Sequence, residues 1–280
     1  MSFLTLILAL IVLQIWGNGG SVQRDTALFR WQSRVSGWQV NAALGLALVV
    51  LLPSLLASWL LDAVEGLLFG LVWIALATAL LLYSFGRGDF DERVARYRHA
   101  LAVGDFQGAW LALSRELLCG FDAAPDSPAA MHRLLLRGLF YDACQRWFAV
   151  VLYFLLLGPA GALAYRLLQL CRHQFEASLV ERCLFFADWL PSRLLAATFT
   201  LSGSFVRCRD VLMDSLREPA LAADEILTRV GIQALADDPV IASEAAPGPE
   251  AAEQVAGMRS LLSRSAACWV ALIALLVLFG

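Results

Sequence analysis

The sequence predicts an all-α, polytopic integral membrane protein with four or five apolar segments and helical cytoplasmic loops. Hydrophobic residues make up 60% of the chain, whereas a soluble domain contains about 45–50%. Long runs that are almost free of charged side chains alternate with segments rich in arginine. The apolar runs are residues 2–17, 40–61, 64–85, 147–171 and 266–280.

Residues 1–85 contain the clearest membrane-crossing signals and are predicted to form N-terminal transmembrane helices. Residues 40–61 have no charged side chain. At about 1.5 Å per residue they span about 33 Å, enough for a hydrocarbon core of about 30 Å. Residues 64–85 form a run of equal length, and only Asp62 and Ala63 lie between, so we expect a tight hairpin. The shorter first run is interpreted as a short or tilted span, with a buried in-plane helix as the alternative.

Residues 86–146 are predicted to form a cytoplasmic helical segment. Asp89 and Asp105 stand where their side chains can cap the helices that follow them. Gly104 suits the position just after a helix. The pattern therefore predicts a packed helical pair, followed by a third helix that leads into the membrane.

The apolar segment 147–171 is broken by a Gly-Pro-Ala-Gly sequence at residues 158–161. Arginines cluster after the first and third runs and before the fourth and last. The positive-inside rule then places both termini in the periplasm and the long loops in the cytoplasm. A single crossing at 147–171 would put the next arginines outside, whereas a re-entrant hairpin keeps them inside. The charges favour the re-entrant form, and a kinked single span is the alternative.

The last third of the chain is predicted to contain an amphipathic segment, a linker and one further span. Residues 172–236 have helical periodicity interrupted by Pro191 and Gly203. Residues 237–263 include an acidic, Ala/Pro-rich sequence without aromatic residues, which is typical of a flexible linker. Residues 264–280 end in an apolar run that we interpret as a C-terminal transmembrane helix.

Composition excludes several classes of function. All 21 basic residues are arginine, so a Schiff-base lysine, a lysine nucleophile and a lysine-containing P-loop are impossible. The net charge of −3 predicts no basic surface for nucleic acid. The histidines are isolated in the sequence, so neither a metal site nor a cofactor is expected.

Two dense patches supply candidate ligand-binding residues. Arg166 lies in an apolar segment, where a charge is costly and marks a functional hypothesis. The alternative is that Arg166 reaches the headgroup region or pairs with an aspartate. The second patch surrounds Pro191, where capping of a helix that begins there is the alternative. The candidates are Tyr165, Arg166, Asp188, Trp189, Arg193 and Asp142.

These patches resemble the AmpE family of inner-membrane proteins. The resemblance rests on residues 155–159 (LLLGP), 162–166 (ALAYR) and 188–194 (DWLPSRL). It also rests on the order of the spans, and it covers essentially the whole chain. It implies a regulatory or signalling role at the bacterial cytoplasmic membrane, associated with β-lactamase induction and peptidoglycan recycling.

The chain is also distantly similar to the membrane-bound cobinamide-phosphate synthases of the CbiB type. That resemblance implies a shared fold and ATP-dependent joining of an aminoalcohol phosphate to a corrinoid carboxylate. Where those enzymes carry glutamates, residues 137–142 (RGLFYD) offer only Asp142, and residues 168–172 (LQLCR) replace a stretch with asparagine or aspartate. Fewer carboxylates therefore remain for Mg²⁺ and phosphate.

We therefore expect a non-enzymatic regulator that senses or relays a signal through its cytoplasmic helices. A ligase- or transferase-like membrane enzyme that uses the candidate residues is one alternative. A transport accessory for a cell-wall fragment is another. The expected partners are the lipid bilayer and an unidentified small molecule or signalling protein.

Overall fold

The computed structural model describes residues 2–16, 25–38, 40–114, 116–117, 125–173, 175–235 and 248–279. Over these residues the chain is helical and has no strand, which confirms the predicted all-α fold. The α-helices are α1 (Ser2–Trp16), α2 (Thr26–Ser36), α3 (Ala42–Val64), α4 (Leu71–Ser84), α5 (Phe90–Ala102), α6 (Phe106–Ser114), α7 (Pro128–Ala143), α8 (Ala149–Leu170), α9 (Ala177–Ser202), α10 (Phe205–Arg217), α11 (Ala223–Leu235) and α12 (Gly248–Phe279).

Three helical runs in the described residues are long and apolar enough to cross a membrane. They are α3, the continuous run Pro128–Leu170 that contains α7 and α8, and α12. Shorter apolar helices cover Phe3–Leu13 and α4. The structure thus confirms a polytopic membrane protein.

The chain divides into two compact units. The first unit comprises Met1–Gly88 and Arg146–Asp188, and the second comprises Asp89–Gln145 and Trp189–Gly280. In the first unit α3 and α4 pack on α8, and α1 packs on α4. In the second unit α12 packs on α5, and α11 packs on α7 and α10. The finer domain boundaries given above stay predictions.

The turn between the first two long spans differs from the expected position. We expected it at Asp62 and Ala63, but α3 continues through both residues to Val64. The chain turns within the following residues, which end in a 3₁₀ turn at Leu67–Gly70. Gly70 has φ +81°, a backbone conformation that glycine adopts without a steric penalty. Neither Asp62 nor Ala63 offers that freedom, which explains the later turn.

The predicted helical pair after the third apolar run is present as α5 and α6. The Asp89 carboxylate accepts hydrogen bonds from the backbone N–H groups of Asp91 and Glu92. The Asp105 carboxylate accepts one from Gly108 at 2.9 Å. Gly104 has φ +77° after the end of α5. The helix boundaries predicted at these residues are thus confirmed. The two aspartates act as caps, because each accepts from backbone N–H groups that a helix end leaves without partners.

Part of the predicted linker is helical instead. Residues 236–247 lie outside the described residues, but residues 248–263 form the first half of α12. Alanines favour the helix, and Pro249 is tolerated in its first turn. Val255, Met258 and Leu261 are buried at helical spacing, and packing against α5 stabilises the segment.

Pro191 was expected to interrupt the helical segment or to begin a helix. In the structure it lies inside the continuous helix α9. Proline has no N–H, so the carbonyl oxygen of Ala187, four residues earlier, loses its helical partner. The Tyr153 hydroxyl donates to this oxygen at 2.7 Å. This substitute bond accounts for the helix passing through a proline. The predicted break at Gly203 is present, since α9 ends at Ser202.

The run that contains α7 and α8 is irregular at two points. A π-helical turn, Cys144–Phe148, joins the two helices. Inside α8, Gly158 has φ +71° and ψ −166°, outside the helical region, and Pro159 follows it. This kink falls within the predicted Gly-Pro-Ala-Gly sequence. Whether this segment crosses once or re-enters stays a prediction.

Candidate functional site

In the first unit, Tyr165 and Asp188 are in direct contact. Both side chains are buried, and the Tyr165 hydroxyl donates a hydrogen bond to Oδ1 of Asp188. The Tyr153 ring stacks on Tyr165 with centroids 5.0 Å apart and an interplanar angle of 22°. Tyr165 and Tyr153 both belong to α8, so one helix orients the two rings that meet the N-terminal part of α9. The hydroxyl contact suits a carboxylate that accepts rather than donates a proton.

Arg166 is the neighbouring buried charge in this unit. Its Nη1 donates to Oε1 of Gln169 at 2.9 Å, one turn along α8. The charge of Arg166 also acts on Asp25, the residue before α2. Arg166 is therefore buried within the protein, and this burial keeps its charge away from lipid.

A half-buried ion pair ties α2 to the end of α4. Asp25 accepts bonds from Arg87 Nη2 at 2.5 Å and Arg87 Nε at 3.2 Å, and from the Tyr83 hydroxyl at 2.9 Å. Burial alone would raise the pKa of Asp25, but the hydrogen bond and charge of Arg87 hold it below the ordinary value. The carboxylate is thus ionised at neutral pH.

Arg146, in the π-helical turn, holds the peptide that follows α4. Its carbonyl oxygen accepts the Gly86 N–H at 3.2 Å. Its Nη2 donates to the carbonyl oxygens of Arg87 and Gly88, the latter at 2.8 Å. A Cβ on Gly86 would come within 2.4 Å of Arg146 Cγ. Glycine at this position therefore leaves room for the Arg146 side chain.

In the second unit, Asp142 lies next to Arg93. Asp142 is 1% exposed, and its Oδ2 lies 3.3 Å from Arg93 Nη2. The Arg93 Nη1 also donates to the carbonyl oxygen of Glu116 at 3.2 Å. The pair links α7 to α5 and to the chain after α6, which is a structural use of the carboxylate.

Arg193 and Trp189 together hold the turn between α10 and α11. The guanidinium lies 4.2 Å above the Trp189 ring. Its Nη2 donates to carbonyl oxygens of residues 218, 219 and 221 at 3.2–3.4 Å. The Trp189 indole donates to the Pro219 oxygen at 3.1 Å. Arg193 Nε has no hydrogen-bond partner within the part of the chain that the structure describes.

The geometry places four of the candidate residues in pairwise contacts, within the first unit or within the second. In the first unit Tyr165 contacts Asp188, and Arg166 donates to Gln169. In the second unit Trp189 contacts Arg193, and Asp142 meets Arg93. The assignment of a shared ligand to these six residues stays a prediction.

Sequence reasoning missed a buried network around His132. The Tyr97 hydroxyl lies 2.7 Å from His132 Nδ1, and His132 Nε2 lies 2.7 Å from Oε1 of Gln254. Since the amide oxygen can only accept, Nε2 carries the proton and Nδ1 accepts from Tyr97. Burial raises the pKa of the Tyr97 hydroxyl, which keeps it a donor. The residues stand on α5, α7 and α12, so no sequence spacing reveals the network.

A groove of about 230 Å³ lies between α5 and α6. Its rim carries Arg93, Arg96 and Glu116, and alanines line part of its floor. Arg96 pairs with Glu116 at 3.0 Å. In the described residues no cluster of three or more His, Cys, Asp or Glu side chains could hold a metal ion. The charged groups described above mostly fasten helices and turns to one another.

Fold and site together define a multi-pass, all-helical membrane protein in which buried arginines and aspartates tie helices together. The sequence model of the family described as "Regulatory signalling modulator protein AmpE" matches residues 1–280. The chain therefore belongs to the AmpE family, which confirms the resemblance.

Two relatives extend this result. Protein AmpE of Shigella flexneri is 25% identical over 298 aligned positions, covering 100% of this chain and 99% of the relative. Cobalamin biosynthesis protein CobD of Chromobacterium violaceum is 29% identical over 187 positions, covering 62% of this chain and 54% of the relative. The second similarity is the weaker one in extent, as expected. No solved structure matches the chain.

Proposed function

We propose that this protein is a non-enzymatic modulator of the bacterial inner membrane that links peptidoglycan recycling to β-lactamase induction. The observation that carries the proposal is the match of the regulatory signalling modulator family to the whole chain. The geometry supports it, because Asp142 and Arg193 are engaged in contacts that fasten helices and a turn. Such contacts suit a helical scaffold that relays a change of conformation.

The proposal includes an orientation. Both termini lie in the periplasm, and the arginine-rich segments that contain α5 to α7 and α10 to α11 lie in the cytoplasm. The distribution of arginine supports this orientation through the positive-inside rule. The second unit would then present the groove between α5 and α6 to cytoplasmic signalling partners or small molecules.

A host with an inducible β-lactamase tests the regulatory role. Its chromosomal copy is deleted and replaced by the wild-type chain, Asp188→Asn, or Glu181→Gln as an exposed control on the same helix. We expect the deletion and Asp188→Asn to change the ratio of induced to uninduced β-lactamase, and the control to match wild type. Equal ratios in the deleted and restored hosts, at equal membrane protein levels, would refute the role.

A nucleotide-dependent membrane ligase or transferase is the second candidate. The similarity to CobD over 187 positions favours it. Purified protein in proteoliposomes separates the two functions, because only the enzyme consumes ATP in the presence of a carboxylate and an aminoalcohol phosphate. Turnover that Tyr165→Phe abolishes would support the enzyme and contradict the modulator.

A further inference from the structure

Helix α9 exposes a stripe of apolar side chains along one side. The exposed stripe of α9 consists of Phe186, Leu190, Leu194 and Leu201, which are 68%, 40%, 40% and 74% exposed. Spacings of four, four and seven residues put them on one side of the helix. In water such a stripe would be unfavourable, because moving apolar surface out of water lowers the free energy of the system.

The buried side of α9 carries apolar side chains such as Leu184, Leu195 and Phe199, and it also carries the polar ones. Asp188, Ser192 and Arg193 are buried at helical spacing, and Thr198 and Thr200 are buried further along. This arrangement is the one expected of a helix in hydrocarbon, where polar groups turn toward protein. The four charged side chains of α9, which are Glu181, Arg182, Asp188 and Arg193, lower its mean hydropathy, and α9 is not among the three runs that pass as spans by composition.

Two hydrogen bonds fix the level of α9 against α12. Trp269 Nε1 donates to Thr198 Oγ1 at 2.9 Å, and the hydroxyl oxygens of Ser202 and Ser265 lie 3.0 Å apart. Residue numbers rise along one helix as they fall along the other, so the two run antiparallel here. The two bonds therefore set residues 198–202 of α9 against residues 265–269 of α12.

The part of α12 beside α9 is the apolar end that identifies it as a span. Leu272, Leu276 and Leu278 are exposed there, and no charged residue follows Arg264. This end has the composition and the exposed surface of a bilayer-crossing helix. Near the point where the two helices meet, both expose apolar side chains, Leu201 on α9 and Leu272 on α12.

We infer that α9 itself crosses the bilayer, with its exposed stripe against lipid hydrocarbon and its polar side against protein. Its 26 residues span about 39 Å at about 1.5 Å per residue, more than a hydrocarbon core of about 30 Å. The chain then leaves the cytoplasm in α8 and returns in α9.

This topology also fits most of the arginines that flank these helices, and it leaves Arg172 and Arg182 near the outer ends of α8 and α9. Arg207, Arg209 and Arg217 follow α9, and Arg259 and Arg264 precede the apolar end of α12. A return in α9 keeps all five on the cytoplasmic side, as the positive-inside rule favours. A single crossing in α8 then suffices, and a re-entrant turn at Gly158 is unnecessary.

Single cysteines at Glu176, before α9, and at Ala220, after α10, test the crossing. They are introduced into the full-length chain after its six native cysteines are replaced by alanine. Spheroplasts are treated with a membrane-impermeant maleimide before and after lysis. We expect Glu176→Cys to react in intact spheroplasts and Ala220→Cys only after lysis.

Each other outcome overturns the inference. Reaction of both cysteines from outside means that α9 does not return, and reaction of neither means that α8 re-enters. Short epitope insertions after Glu176 and Ala220, with all native cysteines kept, provide the same readout if the cysteine-free chain fails to fold.

Depth is measured independently with nitroxides at Leu190→Cys and Leu194→Cys. We expect collision with oxygen to exceed collision with a water-soluble nickel complex, as at Leu276→Cys on α12. Arg98→Cys on α5 is the water-exposed control. Values at Leu190 and Leu194 that match Arg98 would show an aqueous face covered by a protein partner, and would refute the crossing. This result is independent of any effect on β-lactamase induction.

Discussion

Two arginine–aspartate pairs, one in each unit, differ in burial and in contact distance. Arg87 and Asp25 are 23% and 15% exposed and approach to 2.5 Å. Arg93 and Asp142 are 7% and 2% exposed, yet they lie 3.3 Å apart. Contact distance and burial therefore rank the two pairs in opposite order. A buried charge has lost its hydration and depends on its partner, whereas a half-exposed charge keeps part of its water.

The largest effect is expected from Arg93→Met. Asp142 would lose the buried guanidinium beside it, and breaking a buried pair on one side costs about 3–5 kcal/mol. The measurement is the free energy of unfolding of the purified protein in mixed detergent micelles. A loss below about 1 kcal/mol would contradict the importance of burial.

The matched control removes both charges. Arg93→Met combined with Asp142→Leu leaves no ion in that position, and apolar replacement of a buried pair is often neutral or stabilising. We expect the double variant to be more stable than Arg93→Met alone. If it were less stable, the loss would come from packing rather than from an uncompensated charge.

A smaller effect is expected from Arg87→Met in the first unit. Asp25 keeps the Tyr83 hydroxyl and partial hydration, so the loss should lie at about 1–2 kcal/mol, between surface and buried pairs. Unfolding in the same detergent gives the value. Tyr83→Phe, which removes one hydrogen bond to the ionised carboxylate, should cost about 1.5 kcal/mol. If Arg87→Met lowered the free energy of unfolding as much as Arg93→Met, burial would not explain a difference between the two ion pairs.

The contribution of Arg87 should also depend on pH. The pKa of Asp25 is held below its ordinary value of 3.8. A carboxyl group with a lowered folded-state pKa adds stability that is full above the unfolded value and is lost as pH falls through the folded value. The difference between wild type and Arg87→Met should be constant from about pH 7 to 5 and should shrink below about pH 4. Thermal unfolding of both proteins across this range measures it, and a difference that grows toward acid would be the wrong sign.

The smallest effect is expected from Arg217→Gln. The Arg217–Asp214 pair is 3.0 Å long but 74% and 71% exposed, and such pairs contribute about 0–1 kcal/mol. We expect a change within about 0.5 kcal/mol in the same unfolding assay. A larger loss would mean that α10 is covered in the folded protein.

Much of the fold was predictable from local signals. Charge-free runs identified α3, α4 and the end of α12, and Asp89, Gly104 and Asp105 identified the ends of α5 and α6. These signals act within one helix, so the sequence carries them directly. Pro191 misled the prediction because the bond that compensates it comes from Tyr153, far away in sequence. The start of α12 was missed because packing on α5, rather than aromatic content, stabilises it.

The candidate site was less predictable. Buried charge at Arg166 and Asp188 follows from their apolar neighbourhoods, and the structure buries both. Their partners do not follow, since Gln169 was not a candidate and nothing in the sequence pairs the candidate Tyr165 with Asp188. Likewise Asp142 was singled out, but Arg93 was not, because their pairing depends on how α5 meets α7. Partner choice is a property of helix packing, which spacing along one chain does not encode.

The clamp of Arg146 on the peptide after α4 imposes an order on biosynthesis. The two partners are 59 residues apart in sequence. At about 5–20 residues per second, the ribosome needs about 3–12 s to make the intervening chain. During that interval the segment Gly86–Gly88 has emerged without the residue that will hold it. The first unit is therefore incomplete when its early helices enter the membrane, and it closes only after α7 has been made.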